Sequence, residues 1–205
     1  MSTKLPRVSE ILRAVGLAPD FSAVPEPVLA AARERGTARH AAIEADHYGY
    51  VEPAQEPLLG GYRRFLADTG HVPEVSEGLV CHKTWGYVGH PDRIGQTPSL
   101  SLVIVEWKPM GTNRVAASYQ LAAYARAWES MGKPAITHGY VVELDDDTYR
   151  MTDVTQPDPS GKWPGLDAAW VTFQAAIHVY RAQQGMRPIL PRAWWRSSAP
   201  GTPSG

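Results

Sequence analysis

The chain has 205 residues, of which 43% are hydrophobic and 20% are charged. These are the values of a globular protein, and the length suits one domain with a substantial core. We expect a single domain over residues 1–196, with a helical N-terminal part, and a disordered tail rich in Ser, Pro and Gly over 197–205. The sequence contains no transmembrane run and does not start with a signal sequence, which predicts a cytoplasmic protein with no membrane partner.

The charge is close to neutral overall but is unevenly distributed. The formal net charge of -1 argues mildly against a generic nucleic-acid binder, which would present a basic surface. Arginines form one cluster near the middle of the first helix-rich part and another in the acid-free C-terminal part: Arg33, Arg35 and Arg39, and Arg181, Arg187, Arg192 and Arg196. Such clusters are solvated faces unless a site lies beside them. Cys81 is the only cysteine, which excludes an internal disulfide.

Helical patterns dominate the first 70 residues. Ser9 is predicted to cap a short helix that runs to about Val15, and a loop follows over residues 19–27. PEPVLAAARERGTARHAAIEADHYG carries apolar residues at helical spacing and predicts one long helix with a glycine inside it. Another helix is expected from Glu56 to Asp68, ended by Gly70.

After Pro73 the sequence changes to short runs with strand character. VSEGLVCHKT, YVGHPDRIG and SLVIVEWK are separated by turn signals, which predicts an antiparallel meander. A helix is expected over residues 113–131, then strands in AITHGYVVEL and DDDTYRMTDV, and a last helix over 166–184. The order α, β, β, β, α, β, with additions at both ends, predicts an α/β fold with a central mixed sheet flanked by helices. Trp194 and Trp195, between Arg192 and Arg196, are expected to pack onto the core.

Glu106 and Lys108 close the run LVIVEWK. Strand side chains alternate, so Glu106 and Lys108 face the same way as Leu102 and Ile104, while Trp107 faces the other way and can fill the core. An acid and an amine at the end of a buried strand carry a large desolvation cost unless they are exposed, paired or bound to a ligand. For these two residues alone, a strand end that emerges into solvent with a weak ion pair remains a sufficient explanation.

Asp92 suggests a second interpretation of Glu106 and Lys108. Asp is uncommon within strands, so an Asp in the middle of YVGHPDRIG requires a reason. If the next hairpin loop spans about residues 95–101, Asp92 lies beside Glu106 on the neighbouring strand. Two adjacent carboxylates repel each other unless a divalent cation lies between them, and oxygen ligands suit Mg²⁺ or Mn²⁺. Together with Lys108, these acids predict a hard-metal site.

Pro91-Asp92, followed by Glu106-Trp107-Lys108, resembles the signature of the PD-(D/E)XK nuclease superfamily. Two further stretches resemble motifs of its RecB-like and Cas4-like exonuclease branch. In RGTARHAAIE, a glycine precedes a metal-binding histidine and a glutamate follows one turn later, and in SYQLAAYARA a Gln is followed by a Tyr after three residues. The matching residues are Gly36, His40 and Glu44, and Gln120 and Tyr124.

The resemblance implies a restriction-endonuclease-like core and a metal-dependent deoxyribonuclease, an exonuclease of DNA recombination, repair or phage DNA processing. It implies Mg²⁺ or Mn²⁺ bound by His40, Asp92, Glu106 and the main-chain carbonyl of Trp107, with Lys108 beside the attacking water. The expected substrate is a single- or double-stranded DNA end, and a recombination or helicase protein is a candidate partner. The residues expected to bind substrate or support the site are Gln120, Tyr124, Glu44, Arg35 and Arg39.

Two other functions stay open from the sequence. One is a non-catalytic nucleic-acid-binding or scaffold module on the same fold, and the other is a structure- or sequence-specific endonuclease. No phosphate-cradling glycine motif and no nucleophile elbow occur, which excludes a P-loop hydrolase and a serine hydrolase. The acids at 145–147 are expected to form a solvated turn. His82 and His90 either line the cleft or simply lie in strands.

Overall fold

The computed structural model describes residues 4–76, 78–99, 101–187 and 189. Its helices are α1 (Val8–Ala14), α2 (Glu26–Tyr48), α3 (Gly60–Thr69), α4 (Arg114–Ser130) and α5 (Leu166–Gln183), and a 3₁₀ turn at Glu56–Leu58 precedes α3. No described helix is long and apolar enough to cross a membrane. The predictions for Trp194 and Trp195, for Arg192 and Arg196 beside them, and for the tail over 197–205 lie outside these ranges.

The strands are β1 (Val72–Ser76), β2 (Val80–His82), β3 (Tyr87–Gly89), β4 (Arg93–Gln96), β5 (Leu102–Pro109), β6 (His138–Leu144) and β7 (Tyr149–Asp153). The central sheet has the order β1-β4-β5-β6-β7, with β5 and β6 parallel and the other neighbours antiparallel. Helix α4 connects the two parallel strands, as a parallel pair requires. The predicted α/β fold, a central mixed sheet flanked by helices, is confirmed, and α3-β1-β4-β5-α4-β6 follows the predicted αβββαβ order.

The predicted antiparallel meander is wrong in one respect. VSEGLVCHKT contains the end of β1 and all of β2, and YVGHPDRIG contains β3 and the start of β4. β2 and β3 form a separate two-stranded sheet, while β1 pairs directly with β4. The physical reason is Pro91, which has no N–H group for a ladder hydrogen bond and therefore separates β3 from β4.

Each face of the central sheet is covered by its own helices. On one face Ile104 packs with residues of α1, α4 and α5, and on the other Val105 and Trp107 pack with residues of α2 and α3. The alternation of side chains along β5 produces this division. Trp107 fills the core as predicted, with its ring edge-on to those of Tyr62 and Phe65.

The helix ends lie close to their predicted positions. Two predictions need correction, the N-cap at Ser9 and the single helix from residue 56 to 68. Asn113 caps α4, because its side-chain oxygen accepts two backbone N–H groups of the first turn at 3.0 and 3.3 Å. Ser9 is not an N-cap, since α1 already begins at Val8, whose side chain is fully buried in the core. The helix predicted from residue 56 to 68 divides into the 3₁₀ turn and α3.

Gly61 brings the start of α3 against the turn between β6 and β7. A Cβ at Gly61 would lie 2.3 Å from the carbonyl oxygen of Thr148 and 2.5 Å from that of Asp145, so no larger residue fits. The N–H of Gly61 donates to the carbonyl oxygen of Asp146 at 3.2 Å. The acidic turn is exposed, as predicted, but its backbone also holds α3 in place.

His71 is a buried imidazole in the core beside α3. It is 6% exposed, and its ring centroid lies 5.8 Å from that of Phe65. Its Nε2 atom has no hydrogen-bond partner among the residues that the structure describes. Burial, and then the positive charge of Arg93, lower the pKa of His71 to about 4. The fold therefore favours the neutral form.

We expect the free energy of unfolding to fall as the pH drops from 6.5 to about 4. In this interval the unfolded chain binds a proton at His71 that the folded chain excludes, and the loss is about 3 kcal/mol. Urea unfolding at pH 7 and pH 4 measures it. His71→Leu should remove this part of the pH dependence, so an equal dependence in variant and wild type would contradict the assignment.

Candidate active site

The site forms where β4, β5 and α2 meet at one end of the central sheet. Arg93 pairs with Val105, which places Asp92, one residue earlier, level with Glu106 on the adjacent strand. Asp92 does not lie within a strand as predicted from the sequence, but in a bend directly before β4. This bend follows from Pro91, and it releases the Asp92 side chain from the ladder geometry.

Asp92 connects β5 to α2. Its Oδ2 atom accepts a hydrogen bond from the backbone N–H of Trp107 at 2.7 Å. Its Oδ1 atom lies 3.4 Å from Nδ1 of His40, which α2 presents from the other side. Asp92 is 7% exposed, so its carboxylate is largely shielded from solvent. Residues 40, 92 and 107 are therefore brought together from three separate segments.

The buried Glu106 and the half-buried Lys108 form an ion pair on one side of β5. Nζ of Lys108 donates to Oε1 of Glu106 at 2.6 Å. Burial by itself lowers the pKa of Lys108, but the negative charges of Glu106 and Asp92 outweigh it and raise that pKa. Lys108 is thus an ammonium group directed at two carboxylates, which is a different arrangement from a strand end that emerges into solvent.

The donor atoms of this site suit a hard divalent cation. Glu106 is 4% exposed, and its Oε2 atom has no hydrogen-bond partner within the described residues. A buried carboxylate oxygen without a partner is costly, and a cation satisfies it. No group of three or more His, Cys, Asp or Glu side chains in the described ranges is already arranged around a common ion position. The site therefore matches a hard divalent cation in the type of its donor atoms, but its side chains are not already arranged around an ion position.

Two clefts lie along α2. The first, which we call the β5 cleft, has a volume of about 550 Å³, and the second, the His90 cleft, about 630 Å³. Gly36 and His40 line both clefts. The β5 cleft is further lined by Ala31, Ala32, Arg35, Arg39, Trp107, Lys108, Pro109 and Leu144, and the His90 cleft by Arg33, Thr37, Ala41, Glu44 and His90.

The three charged residues predicted to support the site on α2 have different surroundings. Arg39 donates to the carbonyl oxygen of Leu144 at 2.8 Å and to Oδ1 of Asp146 at 2.5 Å, so its guanidinium ties α2 to the turn after β6. Arg35 is exposed in the β5 cleft, and Glu44 is half-buried in the His90 cleft. Arg39 thus holds the helix, while the other two line open space.

Gln120 and Tyr124 lie one turn apart on α4, as predicted. Tyr124 is buried, and a Cβ at Gly89 would lie 2.3 Å from its Cε1 atom, so the ring packs directly on the backbone at the end of β3. This contact positions the segment that leads from Gly89 to Asp92. Gln120 is half-buried.

Glu143 is a buried acid that the sequence analysis missed. It is fully buried on β6, beside Lys108 in the parallel register. Its Oε1 atom accepts the N–H groups of Gly111 at 2.7 Å and Thr112 at 3.2 Å, and Arg114 pairs with its Oε2 atom. Glu143 therefore fixes the loop that leaves β5. An acid within GYVVEL carries the same signal as Asp92, a charged residue in a strand pattern.

Comparisons with known proteins give only remote similarities. The chain matches no protein-family model and no curated protein. Among solved structures it is similar to LHK-Exo in complex with dAMP, at 15% identity over 88% of this chain and 93% of that chain, with a TM-score of 0.37. It is also similar to an alkaline exonuclease (LHK-Exo) from Laribacter hongkongensis, at 17% identity over 61% and 69%, with a TM-score of 0.30. Similarities this weak carry no argument about the chemistry of this chain.

Arg39→Ala should lower the free energy of unfolding by about 2 kcal/mol, because it removes two hydrogen bonds of a charged group that join α2 to the turn after β6. Arg39→Lys should restore little of this, since an ammonium cannot span both acceptors in the same way. Urea unfolding measures the effect. Arg35→Ala is the matched control on the same helix, and it should change stability by less than about 0.5 kcal/mol. Equal stabilities of the two alanine variants would contradict the role of Arg39 as a tether.

Proposed function

We propose that the chain is a metal-dependent deoxyribonuclease of the PD-(D/E)XK superfamily, of the RecB-like branch, and that it acts as an exonuclease. One observation carries the proposal. Asp92, Glu106, Lys108 and His40 converge at one end of the sheet, although they come from a bend, a strand and a helix up to 68 positions apart. Two buried acids beside a half-buried lysine and histidine have no evident value for stability.

A divalent cation would be held by His40, Asp92 and Glu106, with the main-chain carbonyl of Trp107 as a further ligand. Bound Mg²⁺ or Mn²⁺ would neutralise charge on the phosphate and acidify a water molecule. The unpaired Oε2 atom of Glu106 and the carboxylate of Asp92 are the oxygen donors that such cations prefer. The hydrogen bond from the Trp107 N–H keeps Asp92 oriented while it binds.

Phosphodiester hydrolysis forms a bond from a water oxygen to phosphorus and breaks the bond from phosphorus to one ester oxygen. Nζ of Lys108 would orient this water and balance the negative charge that develops on the phosphate oxygens. Glu106 holds the ammonium at 2.6 Å in the free protein and so determines its direction. The attacking water loses a proton to solvent, and the leaving sugar oxygen takes up a proton from solvent or from a group in the cleft.

Residues along α2 and α4 would contact or support the substrate. Arg35 at the β5 cleft and Glu44 at the His90 cleft are placed along α2, where a nucleic-acid backbone would approach His40. Gln120 and Tyr124 would support the site from α4. A DNA end is the proposed substrate, in recombination, repair or phage DNA processing, with a recombination or helicase protein as partner.

One observation favours a second function, a nucleic-acid-binding module without catalysis. Lys108 already satisfies one oxygen of Glu106, and the described residues include no group of three or more metal-binding side chains arranged around one point. A protein that only binds would not need metal. The two functions differ in metal affinity, which can be measured directly.

Cleavage of end-labelled single- and double-stranded DNA should require Mg²⁺ or Mn²⁺. Lys108→Ala and Glu106→Ala should each reduce the rate by at least about 100-fold, because each removes a group that stabilises charge at the phosphate. Lys162→Ala and Glu52→Ala are matched controls, since both side chains are exposed and lie outside the site. Undiminished cleavage by either site variant would overturn the assignment.

Calorimetric titration with Mn²⁺ separates the two functions without any substrate. The wild type should bind Mn²⁺, and Glu106→Gln should weaken this binding at least tenfold, because a neutral amide is a poorer ligand than a carboxylate. The Glu52→Gln variant should bind like the wild type. If the wild type does not bind Mn²⁺ or Mg²⁺, the non-catalytic module is the better description.

A further inference from the structure

Gly36 lies on the ridge of α2 that separates the two clefts. With 3.6 residues per turn, positions 36 and 40 follow one another along the helix. Ala32 and Arg39 lie on one side of this line and line the β5 cleft, and Thr37 and Ala41 lie on the other and line the His90 cleft. A side chain at position 36 would therefore form a wall between the clefts, one turn before His40.

The structure gives no packing reason for a glycine at this position. The backbone at Gly36 does not have the positive φ that favours glycine, and a Cβ would meet no described atom within 4 Å. Glycine inside a helix is less stable than alanine, because it loses more backbone freedom on folding. Gly36 thus weakens α2 and makes no packing contact that requires a glycine. Its missing side chain leaves an opening between the two clefts.

We propose that this opening is a notch through which one strand of nucleic acid crosses α2, from the β5 cleft to the His90 cleft, passing His40. The inference rests on the proposed nuclease function and specifies its substrate at the site as single-stranded nucleic acid. Gly36 is then a specificity-determining residue, because its missing side chain sets the width of the passage.

The dimensions of the notch fit one strand. It lies between positions 32 and 40, which are about 12 Å apart along the helix axis. The major groove of a duplex is by itself about 12 Å wide, so a whole duplex is wider than the two helical turns around Gly36. The two clefts have the volumes of small-ligand pockets, about 550 and 630 Å³, which suits single nucleotides on either side of the notch.

The chemistry of the two clefts also suits a strand. The β5 cleft combines apolar walls at Ala31, Ala32 and Pro109 with the cation Arg35, as needed for a base and its neighbouring phosphate. The His90 cleft presents the hydroxyl of Thr37, the acid Glu44 and Arg33, whose Nη1 atom donates to Glu26 at 3.2 Å. Thr37 and the remaining donors of Arg33 can contact a phosphate backbone on the side of the cleft away from Glu44. A strand that follows both would bring one of its phosphates to His40.

Four leucine variants on α2 test the notch. Gly36→Leu obstructs the passage between the clefts, Ala32→Leu fills only the β5 cleft and Ala41→Leu only the His90 cleft. Ala38→Leu adds the same bulk on the opposite, exposed side of the helix and is the matched control. Gly36→Ala is a smaller change at the same position, and it protects the test against misfolding of the leucine variant.

The primary measurement is cleavage of an end-labelled single-stranded oligonucleotide with Mn²⁺. Gly36→Leu should reduce the rate at least tenfold, Ala32→Leu and Ala41→Leu less, and Ala38→Leu less than twofold. Gly36→Ala should reduce the rate while its thermal unfolding midpoint is equal to or above that of the wild type. A glycine with a merely structural role would show the opposite, a loss of stability together with any loss of activity.

A small substrate and Mn²⁺ binding distinguish the notch from the site itself. Hydrolysis of the p-nitrophenyl ester of thymidine 5′-monophosphate needs only one cleft, so Gly36→Leu should affect it less than the oligonucleotide. Mn²⁺ affinity should be unchanged in Gly36→Leu. The wild type should also cleave the single strand at least tenfold faster than a blunt duplex of the same sequence, and equal rates would overturn the single-strand assignment.

The outcomes separate the two proposals. If the wild type cleaves none of the ester, the oligonucleotide and the duplex, the proposed nuclease function fails. If it cleaves only the duplex, the nuclease stands and the notch is wrong. If the wild type is active but Gly36→Leu matches Ala38→Leu on every substrate, the nuclease stands and the notch is wrong. A loss of oligonucleotide cleavage in Gly36→Leu, with ester hydrolysis and Mn²⁺ binding retained, supports both.

Discussion

The hydrogen bond from the backbone N–H of Trp107 to Oδ2 of Asp92, at 2.7 Å, is the interaction on which the site depends. The pairing of Arg93 with Val105 brings Asp92 level with Glu106, but Asp92 itself lies in the bend after Pro91, so the ladder does not fix its side chain. The side chain of Asp92 instead bonds to β5 between Glu106 and Lys108. Trp107 packs in the core against Tyr62 and Phe65. The hydrogen bond therefore fixes the carboxylate of Asp92 relative to the core.

Three buried acids have different partners in and beside the central sheet. Asp92, Glu106 and Glu143 all lie below a tenth of their full exposure, and burying an acid is unfavourable unless its oxygens are bound. Glu143 is fully engaged by two backbone N–H groups and Arg114. Glu106 keeps one oxygen without a partner in the described chain. The contrast separates an acid that holds a loop from one whose remaining oxygen is available to a ligand.

Periodicity in the sequence predicted most of the fold, because helices α2, α4 and α5 and the buried face of β5 each repeat over many residues. It did not separate β3 from β4, since the three residues at 90–92 look like part of one strand until the missing N–H of Pro91 is taken into account. The proximity of Asp92 and Glu106 could be anticipated from strand pairing. The contacts of Arg39, Glu143 and His71 could not, because they join segments that no local pattern relates.

The anchoring of α2 by Arg39 has a mechanical consequence. The helix is tied to the turn after β6 one residue before His40, while its first three turns are mostly exposed, with Val28 at 59%. Val28 lies about 17 Å from this anchor along the axis, and His40 about 1.5 Å. A tilt of about 10° around the anchor would move Val28 by about 3 Å but His40 by only about 0.3 Å. The exposed end of α2 can thus shift by a few ångströms while the imidazole of His40 keeps its place beside Asp92.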